Sequence, residues 1–139
     1  ALGIAQMERL KEILKKRTRV AELYNKKLKY VEELEIPYIK PGNKISWFVY
    51  TVKLNKKFAG KKRDLIIKEM AKRGIQCSNY FQTMHLQPFY KKEFLYKTGD
   101  FPVAENTSER TLALPFFNDL TEKKIDFVVN NLKDILLNV

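Results

Sequence analysis

The sequence predicts an α+β domain: a small three-stranded sheet with helices packed across it and a long N-terminal helix. Three observations predict it. Apolar residues recur every third or fourth position over the first thirty or so residues and again at the C-terminus, which is helical spacing. They alternate between Trp47 and Leu54, which is strand spacing. Proline and glycine fall mainly between these stretches rather than inside them. With 139 residues, 45% hydrophobic and 31% charged, the chain has material for one core and one charged surface. A fold of that length buries roughly 68% of the surface that its unfolded chain exposes. One domain over residues 1–139 is expected, with residues 1–36 as a long linking helix.

The first helix rests on Met7, Leu10, Leu14, Ala21, Tyr24, Leu28 and Val31, with Arg17 in step between Leu14 and Ala21. Ile4, Ile13 and Val20 widen the stripe, and neither glycine nor proline interrupts between Ile4 and Ile36. A helix of about 30 residues runs about 45 Å, longer than this domain needs, so it is expected to pack on a further domain or a second subunit. Pro37, Pro41 and Gly42 end it. Trp47 to Leu54 is a strand with Phe48, Tyr50, Val52 and Leu54 on one face and Trp47, Val49, Thr51 and Lys53 on the other. Lys61 to Arg73 is a helix with Leu65, Ile66 and Met70 inward, closed by Gly74, and Ile75 to Asn79 is the second strand.

Tyr80 to Lys97 holds six aromatics, one histidine and one proline without a clear period, so it is expected to be a structured loop. Asp100-Phe101-Pro102 marks a helix start, and Thr111 to Leu114 is a short strand stopped by Pro115. Thr121 caps the last helix, whose buried stripe is Ile125, Val128, Leu132 and Ile135 or Leu136. The expected order is α-β-α-β-α-β-α, with no internal repeat.

Composition excludes several chemistries. The single cysteine, Cys77, closes no intrachain disulfide and builds no thiolate zinc site, and it fits a reducing cytosol. No apolar run approaches the roughly 18 residues of a membrane span. The chain starts at Ala1 within an amphipathic pattern, which suggests a piece of a longer protein. Residues 1–73 hold 20 Lys/Arg against 8 Asp/Glu, a net of +12, whereas residues 74–139 hold 7 against 8. Such a field concentrates phosphate-bearing partners, either nucleic acid or nucleotide-linked small molecules. With Trp47, Phe48 and Tyr50 on a small sheet, it leaves a basic nucleic-acid-binding module as the alternative function, although no RNA-binding signature interleaves these aromatics with the cations.

No catalytic constellation is present in the residues themselves. There is one histidine, no carboxylate cluster near it in sequence, and no glycine-rich phosphate loop among five glycines. His85 lies among Tyr80, Phe81, Phe89 and Tyr90. Its imidazole either hydrogen-bonds a sugar hydroxyl or phosphate while the rings cover apolar faces, or ties its loop to a backbone carbonyl. Arg110 is either an anchor for a helix end or a substrate clamp.

Three stretches carry a resemblance: His85-Leu86-Gln87-Pro88-Phe89-Tyr90, Gly99-Asp100-Phe101-Pro102-Val103-Ala104-Glu105, and Arg110-Thr111-Leu112-Ala113-Leu114-Pro115-Phe116-Phe117. Together with Ala1 to Leu10, Arg17, Tyr24, Trp47 to Tyr50 and Arg73-Gly74-Ile75, they make the chain resemble the C-terminal domain of the DegT/StrS family of pyridoxal-phosphate-dependent nucleotide-sugar aminotransferases. The resemblance implies the small domain of a fold-type I aminotransferase. It also implies transfer of an amino group, usually from glutamate, to a keto group on a nucleotide-linked sugar, in polysaccharide or surface-glycan biosynthesis by a cytoplasmic homodimer. Tyr80, Phe81 and His85 are the implied substrate-binding residues. The cofactor, pyridoxal phosphate, is held in such enzymes by a lysine of a large N-terminal domain, so no residue of this chain is implied in catalysis or cofactor binding, and the chain alone is expected to be inactive. Neither a membrane nor nucleic acid is an implied partner. Ser78 stands where many relatives have arginine, and Asn79, Gln82 and Thr83 where they have proline, which implies a less stiff loop and a different sugar.

Overall fold

The computed structural model describes residues 2–139; Ala1, which opens the first family-like stretch, lies outside the described residues. Helix α1 (Leu2–Glu8) and helix α2 (Leu10–Leu28) follow each other with only Arg9 between them, so the long helix exists but carries a local irregularity and stops at Leu28. The predicted extension to Ile36 fails for a physical reason. Leu34 keeps the three-residue spacing of Leu28 and Val31, yet it does so from strand β1 (Leu34–Glu35), which pairs with the end of strand β2 (Tyr50–Leu54). A buried residue at the right interval served two geometries.

The sheet has the order β1-β2-β3, all antiparallel, with β3 (Thr111–Leu114) bonded along β2 through Tyr50↔Leu114 and Val52↔Leu112. Three strands are present, but not the three expected. Ile75 to Asn79 contributes one isolated bridge, Ser78 to Ala113, and is not a strand. β1 takes the third place on the other edge, where Lys53 and Glu35 form a cross-strand ion pair.

Tyr50, Val52, Leu54, Leu112 and Leu114 are buried in one apolar cluster with Val20, Ala21, Tyr24 and Leu28 of α2, Ile66 and Met70 of α3 (Lys61–Lys72), and Ile125, Leu132 and Ile135 of α6 (Glu122–Asn138). Leu65, expected inward, is exposed, and Arg63 takes the buried position instead. The strand phase also slips at its start. Trp47 is buried and stacks on Tyr50 at 5.8 Å, while Phe48 is exposed, because the chain bends at Phe48 before pairing begins at Tyr50.

The side chain of Thr121 accepts from the amide of Lys124 at 3.4 Å and caps α6 as expected. Replacing it by alanine is expected to cost about 1 kcal/mol, read as a lower denaturation midpoint at unchanged slope. At the other end of the chain, α1 has no buried residue, and Leu2, Ile4 and Met7 are 65% to 78% exposed.

Candidate functional site

The segment between Tyr80 and Ser108 forms the wall of a groove. It is more regular than a loop: a 3-10 turn at Met84–Leu86 leads into helix α4 (Pro88–Phe94), and helix α5 (Pro102–Ser108) follows, each α-helix opened by proline in its first turn. A groove of about 790 Å³ is lined by Tyr80, Phe81, Gln82, Thr83 and Met84 on one side, by Asp100 to Ala104, Thr107 and Ser108 on the other, and by Thr111 of β3. Thr111 alternates with the core residues Leu112 and Leu114, so the groove lies on the face of the sheet turned away from the core.

Two of the expected substrate residues meet here. Tyr80 and Phe81 have ring centroids 4.5 Å apart, and Phe81 is 70% exposed. Phe81 sits at φ 61°, a conformation that costs a non-glycine residue energy and persists only when neighbours hold it. The neighbours are visible. Ser108 Oγ donates to the Phe81 carbonyl at 2.7 Å, and Thr111 Oγ1 lies 3.3 Å from the Ser108 carbonyl and 3.5 Å from that of Tyr80.

His85 lines the adjoining groove, of about 380 Å³, with Tyr90, Tyr96 and Phe101; Thr83, Met84, Phe101 and Ala104 border both. Its ring is buried, and Nε2 lies 2.9 Å from Glu105 Oε1. It therefore ties its segment to a carboxylate rather than to a backbone carbonyl. Glu105 also accepts from the amides of Gly99 at 2.9 Å and Phe101 at 3.1 Å. The Gly99 amide, followed by those of Phe101 and the His85 ring, holds the Glu105 carboxyl below its ordinary range, so it is ionised at neutral pH.

Arg110 is an anchor. Its guanidinium donates to the carbonyls of Leu54 at 3.3 Å and Asn106 at 3.2 Å, and to Asn106 Oδ1 at 2.7 Å, which joins the end of α5 to β2. Arg63, which the sequence reading left out, donates to the carbonyls of Ser108 and Thr111 at 2.9 Å and 3.0 Å. Cys77 is buried, and burial pushes its thiol up to about 12, so it is no nucleophile at neutral pH.

Glu105 and Phe101 were the site residues missed from sequence. A signal for Glu105 existed, since an acid in the first turn of a helix opened by Phe101-Pro102 reaches back to the unpaired amides there. Neither groove is lined by lysine or arginine, so neither offers an amine for a Schiff base or a cationic side chain for a phosphate. Among the described residues no group of three or more His, Cys, Asp or Glu could hold a metal ion, and no helix is long and apolar enough to cross a membrane.

Residues 1–133 match the DegT/DnrJ/EryC1/StrS aminotransferase family. The chain is 31% identical over 137 residues to the spore coat polysaccharide biosynthesis protein SpsC of Bacillus subtilis, covering 98% of this chain and 35% of that protein. It is 33% identical over 138 residues to the GDP-perosamine synthase of Caulobacter vibrioides, covering 99% of this chain and 36% of that protein. It thus spans about a third of the length of these relatives. The fold recurs in Spr1654 of Streptococcus pneumoniae, solved in a PLP form, with a TM-score of 0.91 at 22% identity over 99% of this chain and 34% of that one. The match over nearly its whole length places the chain in the DegT/DnrJ/EryC1/StrS aminotransferase family.

Proposed function

We propose that this chain is the C-terminal small domain of a pyridoxal-phosphate-dependent enzyme that transfers an amino group, from glutamate, to the keto group of a nucleotide-linked sugar for polysaccharide or surface-glycan biosynthesis. The observation that carries the reading is the family match over residues 1–133, joined to a groove lined by the rings of Tyr80, Phe81 and Phe101 and by the hydroxyl residues Thr83, Thr107, Ser108 and Thr111. Tyr80 and Phe81 offer ring faces to the sugar, with Thr107, Ser108 and Thr111 beside them, and His85 borders the end of the same cleft. The bound cofactor supplies the electron sink, and this chain supplies part of the wall that orients the sugar.

In this reading the cofactor is held by a lysine of another domain. The bare apolar stripe of α1 supports a parent in which that helix packs on further protein; in this reading the parent is a cytoplasmic homodimer. The nucleic-acid alternative loses two of its three aromatics, because Trp47 and Tyr50 are in the core and cannot stack on bases.

The isolated chain is therefore expected to be inert. Pyridoxal phosphate added to it gives no lysine-linked absorbance band and no transamination, whereas the parent protein gives both. A band that maps to one lysine of residues 1–139 contradicts the assignment.

A further inference from the structure

The geometry points to Glu105 as a positioning residue that makes His85 a hydrogen-bond acceptor toward the aromatic groove. One carboxylate joins two segments that are apart in sequence. Oε1 meets His85 Nε2 at 2.9 Å and the Phe101 amide at 3.1 Å, while the Gly99 amide lies 2.9 Å from both oxygens. Backbone amides only donate, so two of the three partners require the carboxylate to accept, and an ionised carboxylate has no proton to give. The imidazole nitrogen that faces it must then carry a hydrogen. In the neutral ring this places the proton on Nε2 and leaves a lone pair on Nδ1.

That lone pair is available. Among the described residues no group bonds Nδ1, and it is not sealed off either, since Thr51 Oγ1 is the one fully buried side-chain polar atom there without a partner. The groove that His85 lines is otherwise walled by Thr83, Met84, Tyr90, Tyr96, Phe101 and Ala104, with Phe101 packed on the imidazole at 4.8 Å and held through its amide by the same carboxylate. While the ring is neutral, such an acceptor takes a hydroxyl or amino hydrogen and gives no charge to an anion. The inference rests on the reading that this cleft holds the sugar, and it assigns the His85 end to a neutral hydroxyl-bearing part of the ligand rather than to its phosphates.

His85 is the one histidine of the chain, so its ring nitrogens are assigned without ambiguity in a long-range proton–nitrogen NMR spectrum of the 139-residue protein. At a pH where the ring is neutral, Nε2 is expected to resonate as a proton-bearing nitrogen and Nδ1 as a bare one. In Glu105→Ala the two shifts are expected to converge as both tautomers become populated. A wild-type ring protonated on Nδ1 overturns the proposal without recourse to any variant, as does a spectrum that Glu105→Ala leaves unchanged. In the parent enzyme Glu105→Ala is expected to raise KM for the sugar about tenfold and to leave KM for the amino donor unchanged; an unchanged sugar KM overturns the positioning role. A parent that aminates no sugar at all defeats the functional reading instead, and the tautomer measurement still decides what Glu105 does.

Discussion

Tyr50→Ala is expected to leave the domain largely unfolded at room temperature. Tyr50 is fully buried at the centre of the sheet and stacks on Tyr24 at 4.8 Å, with Trp47 at 5.8 Å and Phe116 at 6.4 Å around it. Truncating a buried aromatic costs about 3–5 kcal/mol in lost transfer energy and residual cavity. Each aromatic pair adds roughly 0.5–1.5 kcal/mol. A domain of this size has about 5–15 kcal/mol in all, so the loss is comparable to the lower part of that range. The hydroxyl is the smaller contribution. It donates to Asn25 Oδ1 at 2.6 Å, and Tyr50→Phe is expected to cost about 1 kcal/mol. Denaturant midpoints of the two variants, measured with the slope held in view, separate packing from hydrogen bonding. Equal losses in both would mean that the stack contributes little.

The same ring shows how far the sequence could be read. Val52 and Leu54 were legible with it because a paired strand enforces alternation, and the stripe of α6 was legible because its cap, spacing and burial all agree. Trp47 and Phe48 were misread because alternation holds only while the backbone is extended, and the bend at Phe48 is set by what Trp47 can reach in the core. β1 was invisible for a different reason. Two residues give no period, no glycine or proline separates them from α2, and Leu34 is buried by its pairing with Leu54 across the sheet. Tertiary pairing decided the matter there, not local preference.

The site was legible to a similar depth. Tyr80 and Phe81 could be named because the family-like stretches surround them, and the structure seats them on one groove. The partition of His85 into the neighbouring groove could not, because it depends on Glu105 lying one turn into a helix whose start is held by Gly99 and Phe101. Residues 20 apart in the chain meet across that contact. Sequence spacing carries no information on which acid a lone histidine will find.

Arg110→Met and Arg110→Lys are both expected to cost about 2–3 kcal/mol, the range for losing hydrogen bonds to a charged group and leaving buried acceptors unpaired. Arg110 is buried and pairs with no carboxylate among the described residues; its donors are received by the carbonyls of Leu54 and Asn106 and by Asn106 Oδ1. Three acceptors in fixed directions suit a planar fork, and a lysine ammonium on a flexible stem cannot reach all three. Methionine preserves most of the apolar packing of the stem while removing every donor, so agreement between the two variants isolates the fork from both charge and bulk. The loss should also extend to the groove. Asn106 belongs to α5, whose Thr107 and Ser108 line the groove, and Ser108 Oγ holds the strained Phe81 backbone. Loosening α5 at Asn106 is thus expected to raise amide exchange from Phe101 to Ser108 in Arg110→Met while the core strand Tyr50–Leu54 stays protected. Uniformly raised exchange across both segments would mean that Arg110 supports the whole fold rather than the groove wall.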